Sequence, residues 1–368
     1  MADITDYIKW RGDLTFEQSP FNEVDNLIFS FISYVDFSGI VDNSADKRIT
    51  LREASDRFWE FYTEKEILDK PTLTKKAAFV LRDMAASRRF GDLLLSDFVN
   101  EIDEGEQKQF SALKIHLPKD RCYLVFRGTD ETIVGWQEDF NMICFPGIPS
   151  ERRAVEYLIK AMEDEKTADF YIGGHSKGGH LAFYAAICVW EKFGGRILSV
   201  YNNDGPGISE EMAASQAYEE ALPKLISYVP EQSFFGLMLC HKEPVYVVKS
   251  RRAGLLQHDI LSWEVMGAEL VKAQCVAPHS RNLDKGLKNW LEAIEPAERA
   301  EIIKLIFDSF SLAQIHTLGD FTLLTPRKLY DMIRNLTDLK PEQKALTSRC
   351  FKLLAAELKK QTLGTYQD

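Results

Sequence analysis

Residues 106–265 alternate between short apolar runs and longer amphipathic stretches, and this alternation constrains the fold more than any other feature of the chain. The amphipathic stretches at 155–162 and 181–188 carry apolar side chains at helical spacing. The apolar runs, which are typical of buried strands, lie at 110–117, 122–126, 170–172, 197–201, 225–229 and 245–248. Strand, helix and strand in repetition predict an α/β fold with an open, mostly parallel sheet and helices on both faces.

The chain on the amino-terminal side of this region is helical in pattern. Asn22 is a candidate N-cap for a helix with apolar residues over 24–35. Thr50 begins a candidate capping box, and the helical pattern continues over 74–88 and 92–100. We therefore expect a helical N-terminal extension.

The chain on the carboxyl-terminal side is again helical in pattern, with prolines suited to first turns at Pro326 and Pro341. No Gly/Ser-rich linker separates the three zones, so we expect both extensions to pack on the sheet region. The predicted division is a helical extension over 1–105, an α/β core over 106–265 and a second helical extension over 266–368.

Composition limits the partners of the chain. Its 368 residues carry a net charge of −11, which disfavours nucleic acid and anionic membrane surfaces because both repel an acidic protein. The first residues lack the apolar segment of a signal peptide. The longest apolar run, 181–190, is too short to span a bilayer. We expect a cytoplasmic protein without an integral membrane segment.

Metal and cofactor motifs are missing from the sequence. The six cysteines include no Cys-x-x-Cys pair, so we expect reduced and mostly buried thiols. His175 and His180 are five residues apart and do not match the zinc motif His-Glu-x-x-His. The glycines around Ser176 do not form the dinucleotide-binding pattern Gly-x-Gly-x-x-Gly. The sequence therefore predicts neither a metal nor a cofactor.

One turn between a predicted strand and a predicted helix carries the pattern Gly-x-Ser-x-Gly, as Gly174, Ser176 and Gly178. In this context the pattern is typical of a nucleophile elbow, where the serine lies at the apex of a sharp turn. Glycines flank it because the turn leaves no room for neighbouring side chains. A helix begins here, so the backbone N–H of Lys177 points toward a developing oxyanion. The alternative is a glycine-rich turn whose serine only caps the helix.

A second block ends the strand predicted over 122–126 and reads Phe126-Arg127-Gly128-Thr129-Asp130. A turn at the end of an earlier strand is where a serine nucleophile needs its second oxyanion donor. Thr129 is the candidate, through its backbone N–H and its hydroxyl. The alternative is a simple turn in which Arg127 forms a structural ion pair.

A nucleophilic serine needs a histidine base, and His258 is the best of the seven histidines. It lies in a polar loop after the strand predicted over 245–248, and the chain order serine, acid, histidine places the base last. His175 and His180 lie beside the elbow, where we expect packing or supporting roles. The alternative for His258 is a loop histidine that caps the next helix.

Two acids are candidates for orienting the base. Asp204 follows the strand predicted over 197–201, in a glycine-rich loop suited to a firmly held carboxylate. Glu231 follows the next predicted strand, the commoner position for such an acid. We prefer Asp204 and keep Glu231 as the alternative; the alternative role for Asp204 is an Asx turn.

The blocks Phe-Arg-Gly-Thr…Trp-x-x-Asp and Gly-His-Ser-x-Gly-Gly resemble those of the fungal-type class 3 lipases. Over 26–39, 204–207 and near 257 the chain is also similar to an uncharacterised bacterial family with a lipase-like domain. The resemblance implies an α/β-hydrolase fold with triad chemistry over about 106–265. Class 3 lipases usually carry leucine after the elbow serine, whereas this chain has Lys177. A charge there, near the mouth of the site, argues against a plain triglyceride substrate.

These patterns together predict a serine hydrolase of esterase or lipase-like type that acts on a small-molecule ester. His258 takes the proton of Ser176, a carboxylate orients the imidazole, and water releases the acyl group. The alternatives are a thioesterase or peptidase with the same triad, and a non-catalytic binding or scaffold protein of this fold. The oligomeric state and the role of the extensions, as a lid or as a dimer face, stay open.

Overall fold

The computed structural model describes residues 2–70, 72–145, 147–312 and 339–364. Its centre is an eight-stranded sheet whose strands follow one another in chain order. The strands are β1 (Ile49–Thr50), β2 (Leu94–Asp103), β3 (Lys108–Leu117), β4 (Arg121–Phe126), β5 (Asp169–His175), β6 (Ile197–Asn203), β7 (Leu225–Pro230) and β8 (Val245–Val248). Strands β1 to β4 pair antiparallel and β4 to β8 pair parallel. A separate hairpin pairs β9 (Val265–Met266) with β10 (Glu269–Leu270).

Side chains that alternate along each strand pack into two hydrophobic cores, one on each face of the sheet. In β4, Tyr123 and Val125 belong to one hydrophobic core, whereas Leu124 and Phe126 belong to the other. Successive residues of a strand point to opposite faces, so a central strand buried on both faces needs apolar residues at every position. This requirement explains the continuous apolar runs in the sequence.

The connections between the parallel strands cover one face of the sheet. They are α6 (Ile133–Cys144), α7 (Pro149–Asp164), α8 (Lys177–Cys188), α9 (Trp190–Phe193), α10 (Glu210–Ala213) and α11 (Gln216–Ala221). Residues of α7, α8 and α11 share a core with β4, β5 and β6. Strands that advance across a sheet in chain order, joined by right-handed crossovers, place their connecting helices on the same face.

The amino-terminal helices cover the other face. They are α1 (Ile4–Arg11), α2 (Glu23–Ile32), α3 (Leu51–Phe61), α4 (Glu64–Asp69) and α5 (Ala77–Ala86). Nine of the ten residues of α2 are buried. As predicted, Asn22 caps α2 and Thr50 caps α3. The predicted α/β-hydrolase fold, with a mostly parallel sheet and helices on both faces, is confirmed.

The prediction of a helix over 92–100 is wrong, because these residues form most of β2. A register shift between Ser96 and Val99 interrupts the pairing of β2 with β3, and residues 95–99 are all buried. The bulge removes the two-residue alternation that identifies a strand. The sheet therefore includes residues that precede 106, and the division into three domains stays a prediction.

The carboxyl-terminal helices are α12 (Pro278–Glu292), α13 (Pro296–Leu312) and α14 (Pro341–Gly364). Pro341 opens the last of them, as predicted. The helix predicted at Pro326 lies outside the described residues. None of the described helices has the length and apolarity that crossing a membrane requires.

A buried ion pair joins the amino-terminal helices. Arg89 and Asp25 are both fully buried. The Arg89 Nε donates to Asp25 Oδ1 over 2.9 Å, and its Nη1 donates to the carbonyl oxygen of Ser19 over 2.9 Å. The Tyr7 hydroxyl also donates to Asp25 Oδ1. The pair thus ties α1, α2 and the segment after α5 into one unit.

We expect Arg89→Met to lower the free energy of unfolding by about 3–5 kcal/mol, because Asp25 would remain buried without a counterion. Urea unfolding measures the loss. The double variant Arg89→Met/Asp25→Asn leaves no buried charge and should recover part of it. A loss below about 1 kcal/mol in the single variant would show that the pair stabilises the fold no more than an exposed ion pair does.

Candidate active site

The turn after β5 places Ser176 in a strained conformation. Its φ is +58° and its ψ is −133°. Residues other than glycine adopt such backbone angles only where the surrounding structure enforces them. The Ser176 N–H donates to the Asn203 carbonyl oxygen over 3.0 Å, and the Gly179 N–H donates to the Ser176 carbonyl oxygen over 2.9 Å. The ends of β5, β6 and α8 together hold the serine at the apex of the turn.

The glycines of the elbow stand where backbones approach closely. A Cβ added to Gly178 would lie 2.1 Å from the carbonyl oxygen of Phe126, at the end of β4. A Cβ on Gly174 would lie 2.3 Å from the backbone carbon of Gly178. Real Cβ atoms do not approach backbone so closely, so only glycine fits at either position.

Asp204 and His258 form a direct pair. The Nδ1 of His258 lies 2.6 Å from Asp204 Oδ2, and the Ser233 hydroxyl donates to the other oxygen. Asp204 follows β6 and is almost fully buried, and its N–H donates to the Tyr228 carbonyl oxygen over 2.8 Å. The carboxylate is therefore held from two sides and faces the imidazole.

Glu231 is not brought to the histidine. Its backbone N–H donates to the Val248 carbonyl oxygen, and its own carbonyl oxygen accepts from the Ala277 N–H. Within the described part of the chain, the hydrogen bonds and ion pairs of His258 do not include Glu231. Of the two acids considered from the sequence, the structure pairs Asp204 with His258.

His175 binds the backbone of His258. Its Nε2 lies 2.9 Å from the His258 carbonyl oxygen, and its Nδ1 lies 2.8 Å from the Tyr34 hydroxyl. A carbonyl oxygen only accepts, so Nε2 carries the hydrogen and Tyr34 donates to Nδ1. Burial and the neighbouring His258 hold the pKa of His175 well below its ordinary value, which fits this neutral tautomer.

Tyr34 is a site residue that the sequence reasoning did not single out. It lies just after α2, on the amino-terminal layer, and contacts the turn from the far side of the sheet. Tyr34 falls within residues 26–39, where the sequence resembles the uncharacterised bacterial family. Nothing in its spacing distinguishes it from a core tyrosine.

The Arg127–Asp130 turn lies directly against the serine. A Cβ added to Gly128 would lie 3.1 Å from Ser176 Cβ and 2.5 Å from the His175 carbonyl oxygen. Arg127 Nη2 contacts Asp130 Oδ2 at 3.3 Å and donates to the Asn100 side chain over 2.9 Å. Arg127 thus forms the ion pair considered for it and braces the turn.

Thr129 is held by a carboxylate of α6. Its Oγ1 lies 2.7 Å and 2.6 Å from the two carboxylate oxygens of Asp139. Burial raises the pKa of Asp139 to about 6, and the positive charge of Lys177 opposes part of that rise. Asp139, the last residue of the Trp-x-x-Asp block, therefore orients the Thr129 side chain.

The Lys177 side chain does not reach the mouth of the site, and the expectation that it does is wrong. It is fully buried and its Nζ lies 2.9 Å from Glu138 Oε2. The same Nζ donates to the Gln109 carbonyl oxygen over 2.9 Å and to the Gln109 side-chain oxygen over 2.8 Å. A carboxylate and two amide oxygens attract the ammonium into the protein, so the objection to a triglyceride substrate no longer holds.

His180 is occupied elsewhere, in keeping with the supporting role expected for it. Its Nε2 lies 2.8 Å from Glu151 Oε1 and its Nδ1 lies 2.6 Å from the Gly207 carbonyl oxygen. Both ring nitrogens have partners, so His180 is not free to act on Ser176. No cluster of three or more metal-ligating side chains occurs among the residues that the structure describes.

A cavity of about 1750 Å³ contains both Ser176 and His258 in its wall. Thr129, Lys177 and Asp139 also line it. Most of the wall is apolar, with Phe140 of α6, Phe235 after β7 and side chains of the carboxyl-terminal helices α12 and α13: Leu287, Leu291, Ile303 and Ile306. Ser176 and His258 therefore face one large, largely hydrophobic space.

Several solved structures are similar to this chain at low identity. A triacylglycerol lipase whose catalytic centre is described as a serine protease triad is 16% identical, with a TM-score of 0.34, over 43% of this chain and 67% of its own. A mutant form of MDLA from Penicillium cyclopium is 11% identical, with a TM-score of 0.39, over 68% of this chain and 84% of its own. Lipase II from Rhizopus niveus is 14% identical, with a TM-score of 0.33, over 50% of this chain and 74% of its own.

Comparison with curated proteins finds no match. A family model described as Mbeg1-like matches residues 84–308. That range takes in β2 to β10, the elbow, both members of the Asp204–His258 pair, helix α12 and most of α13. It exceeds half of the chain, and the chain therefore belongs to the Mbeg1-like family.

Proposed function

We propose that this protein is a serine hydrolase that cleaves carboxylic esters with a triad of Ser176, His258 and Asp204. The observation that carries the proposal is the 2.6 Å contact between His258 Nδ1 and Asp204 Oδ2. His258 shares a cavity with Ser176, whose backbone has the positive φ of a nucleophile elbow.

In the proposed mechanism each group has a role. Asp204 accepts from the Nδ1–H of His258, which leaves Nε2 with its lone pair for the Ser176 hydroxyl proton. The serine oxygen then attacks the ester carbonyl and forms a tetrahedral intermediate. The backbone N–H groups of Lys177, at the start of α8, and of Thr129 donate to its oxyanion, since the Thr129 hydroxyl already donates to Asp139. Protonation by His258 releases the alcohol, and water completes the hydrolysis of the acyl-enzyme.

The cavity supports an ester with an extended apolar portion. Its volume of about 1750 Å³ and its aromatic and aliphatic lining favour burial of hydrocarbon at about 25 cal/mol per Å² of apolar surface. Pairing with buried Glu138 keeps the Lys177 charge out of the path of such a substrate. A neutral, largely apolar ester therefore fits better than a short polar one.

Ser176→Ala should abolish covalent labelling by a fluorophosphonate probe, because the nucleophile is removed while the fold is kept. Gel fluorescence or intact mass measures the labelling. Ser199→Ala, in β6 and outside the cavity, is the control and should label like the wild type. Equal labelling of the wild type and Ser176→Ala contradicts the proposal; an unlabelled wild type points to a non-catalytic binding protein of this fold.

Asp204→Asn should lower kcat by roughly 10⁴-fold, because an asparagine holds the imidazole in the wrong tautomer. Glu231→Gln is the matched control, an acid after the neighbouring strand, and should stay within about twofold of the wild type. Steady-state hydrolysis of a chromogenic ester measures both. The reverse result would assign the acid to Glu231.

For p-nitrophenyl esters, kcat/KM should rise from the acetyl to the octanoyl substrate, by up to about 10-fold for each pair of added methylenes that the cavity buries. A thioester and an aminoacyl amide of the same acyl length, assayed beside them, separate esterase activity from thioesterase and peptidase activity. A kcat/KM that falls with acyl length would contradict the apolar-substrate assignment.

A further inference from the structure

Beneath the elbow, Glu138 joins four parts of the fold. It accepts from the Gln109 N–H of β3 over 3.0 Å, from the N–H and hydroxyl of Ser150 in α7 over 3.0 Å and 2.7 Å, and from Lys177 Nζ over 2.9 Å. Glu138 and Lys177 are both fully buried, with no exposed side-chain surface. The carboxylate is therefore completely satisfied, and the ammonium is one of its four donors.

The next residue of α6 is Asp139, which binds the Thr129 hydroxyl. Two consecutive carboxylates of one helix thus hold two different segments. Glu138 anchors Lys177, whose backbone begins α8, and Asp139 anchors the turn that contains Thr129. These are the two segments that donate to the oxyanion in the proposed function.

Stability alone does not account for a buried ion pair at this place. Two desolvated charges often contribute no more than a well-packed apolar pair of the same volume. The pair does fix the start of α8 relative to α6, because the ammonium reaches its acceptors only at one distance and one angle between the two helices. Oxyanion donors need that kind of fixed geometry.

We propose that Lys177 and Glu138 are positioning residues that set the spacing between the two oxyanion donors, the Lys177 N–H and Thr129. The inference rests on the proposed function. The ion pair acts through the backbone of Lys177 and through α6, and its side chains do not touch the reacting atoms.

The charge of Lys177 has a second effect, on Asp139. The charged or titratable groups that bear on Asp139 are Lys177 from α8, Glu138 from α6, Asp130 from the turn and Tyr34 from beyond α2. Lys177 lowers the pKa of Asp139, whereas burial raises it to about 6. Asp139 is a pure acceptor for Thr129 only while ionised, so this hold weakens as pH falls through that pKa. Loss of the lysine moves the weakening to higher pH.

The test compares three variants with the wild type on an ester substrate. Lys177→Met removes the cation with little change in length. Lys177→Met/Glu138→Gln also removes the carboxylate charge, so no charge of the pair stays buried and unpaired if the single variant folds poorly. Lys114→Met is the matched control: Lys114 is a fully buried lysine of β3, ion-paired with Asp97 at 2.7 Å and outside the cavity lining.

We expect kcat to fall roughly 10–100-fold in Lys177→Met and in the double variant, with KM within about twofold. The reason is that displaced oxyanion donors weaken binding of the transition state but not of the ground-state ester. The acid limb of the kcat profile should move to higher pH in Lys177→Met, because the charge that lowers the pKa of Asp139 is gone. Lys114→Met should lower the melting temperature but keep kcat within about twofold.

Other outcomes separate this inference from the proposed function. A wild type that hydrolyses the ester and is labelled by the fluorophosphonate, beside a folded Lys177→Met or double variant with wild-type kcat, overturns the positioning role alone. An equal loss of kcat in Lys114→Met overturns it too, since any buried ion pair would then do the same. A wild type without hydrolysis or labelling overturns the proposed function and this inference with it.

Discussion

The contact between the elbow and the end of β4 is the constraint on which the rest of the site depends. Gly178 passes so close to the Phe126 carbonyl oxygen that a Cβ there would lie 2.1 Å from it. This approach lets β5 turn sharply into α8 and holds Ser176 at a positive φ. It also brings the turn after β4 against the serine, so that Gly128 lies beside Ser176 Cβ. The positions of Ser176 and of the Arg127–Asp130 turn therefore both follow from one close backbone contact.

The two faces of the sheet contribute differently to this arrangement. The connections on one face carry most of the candidate site residues, on α8, on α6 and in the loops that contain Asp204 and His258. The amino-terminal layer on the other face contributes support, since Tyr34 reaches His175, which in turn binds the backbone of His258. The amino-terminal layer thus helps to hold His258 in place as well as cover the sheet.

The sequence predicted much of this because its signals were local. The buried strands, the caps Asn22 and Thr50 and the glycines around Ser176 depend on neighbours in the chain. The bulge of β2 erased the periodicity that would have identified it. The direction of Lys177 was missed because its partners, Glu138 and Gln109, are distant in sequence. Asp204 and Glu231 each follow a parallel strand, so only the three-dimensional path of the His258 loop distinguishes them.

The covering of the sheet by the amino-terminal helices has a consequence for how the chain folds. Asn26 of α2 donates to Asn203, 177 residues later, and the Tyr228 hydroxyl donates to Glu23 across 205 residues. The helices that come first along the chain thus find their partner surface only after β6 and β7 exist. Contacts so remote in sequence slow folding, because a long loop must close before they form. Until then one whole apolar face of the sheet is open to water, so the interval between synthesis of the first helices and of β7 is when this chain is most prone to aggregate.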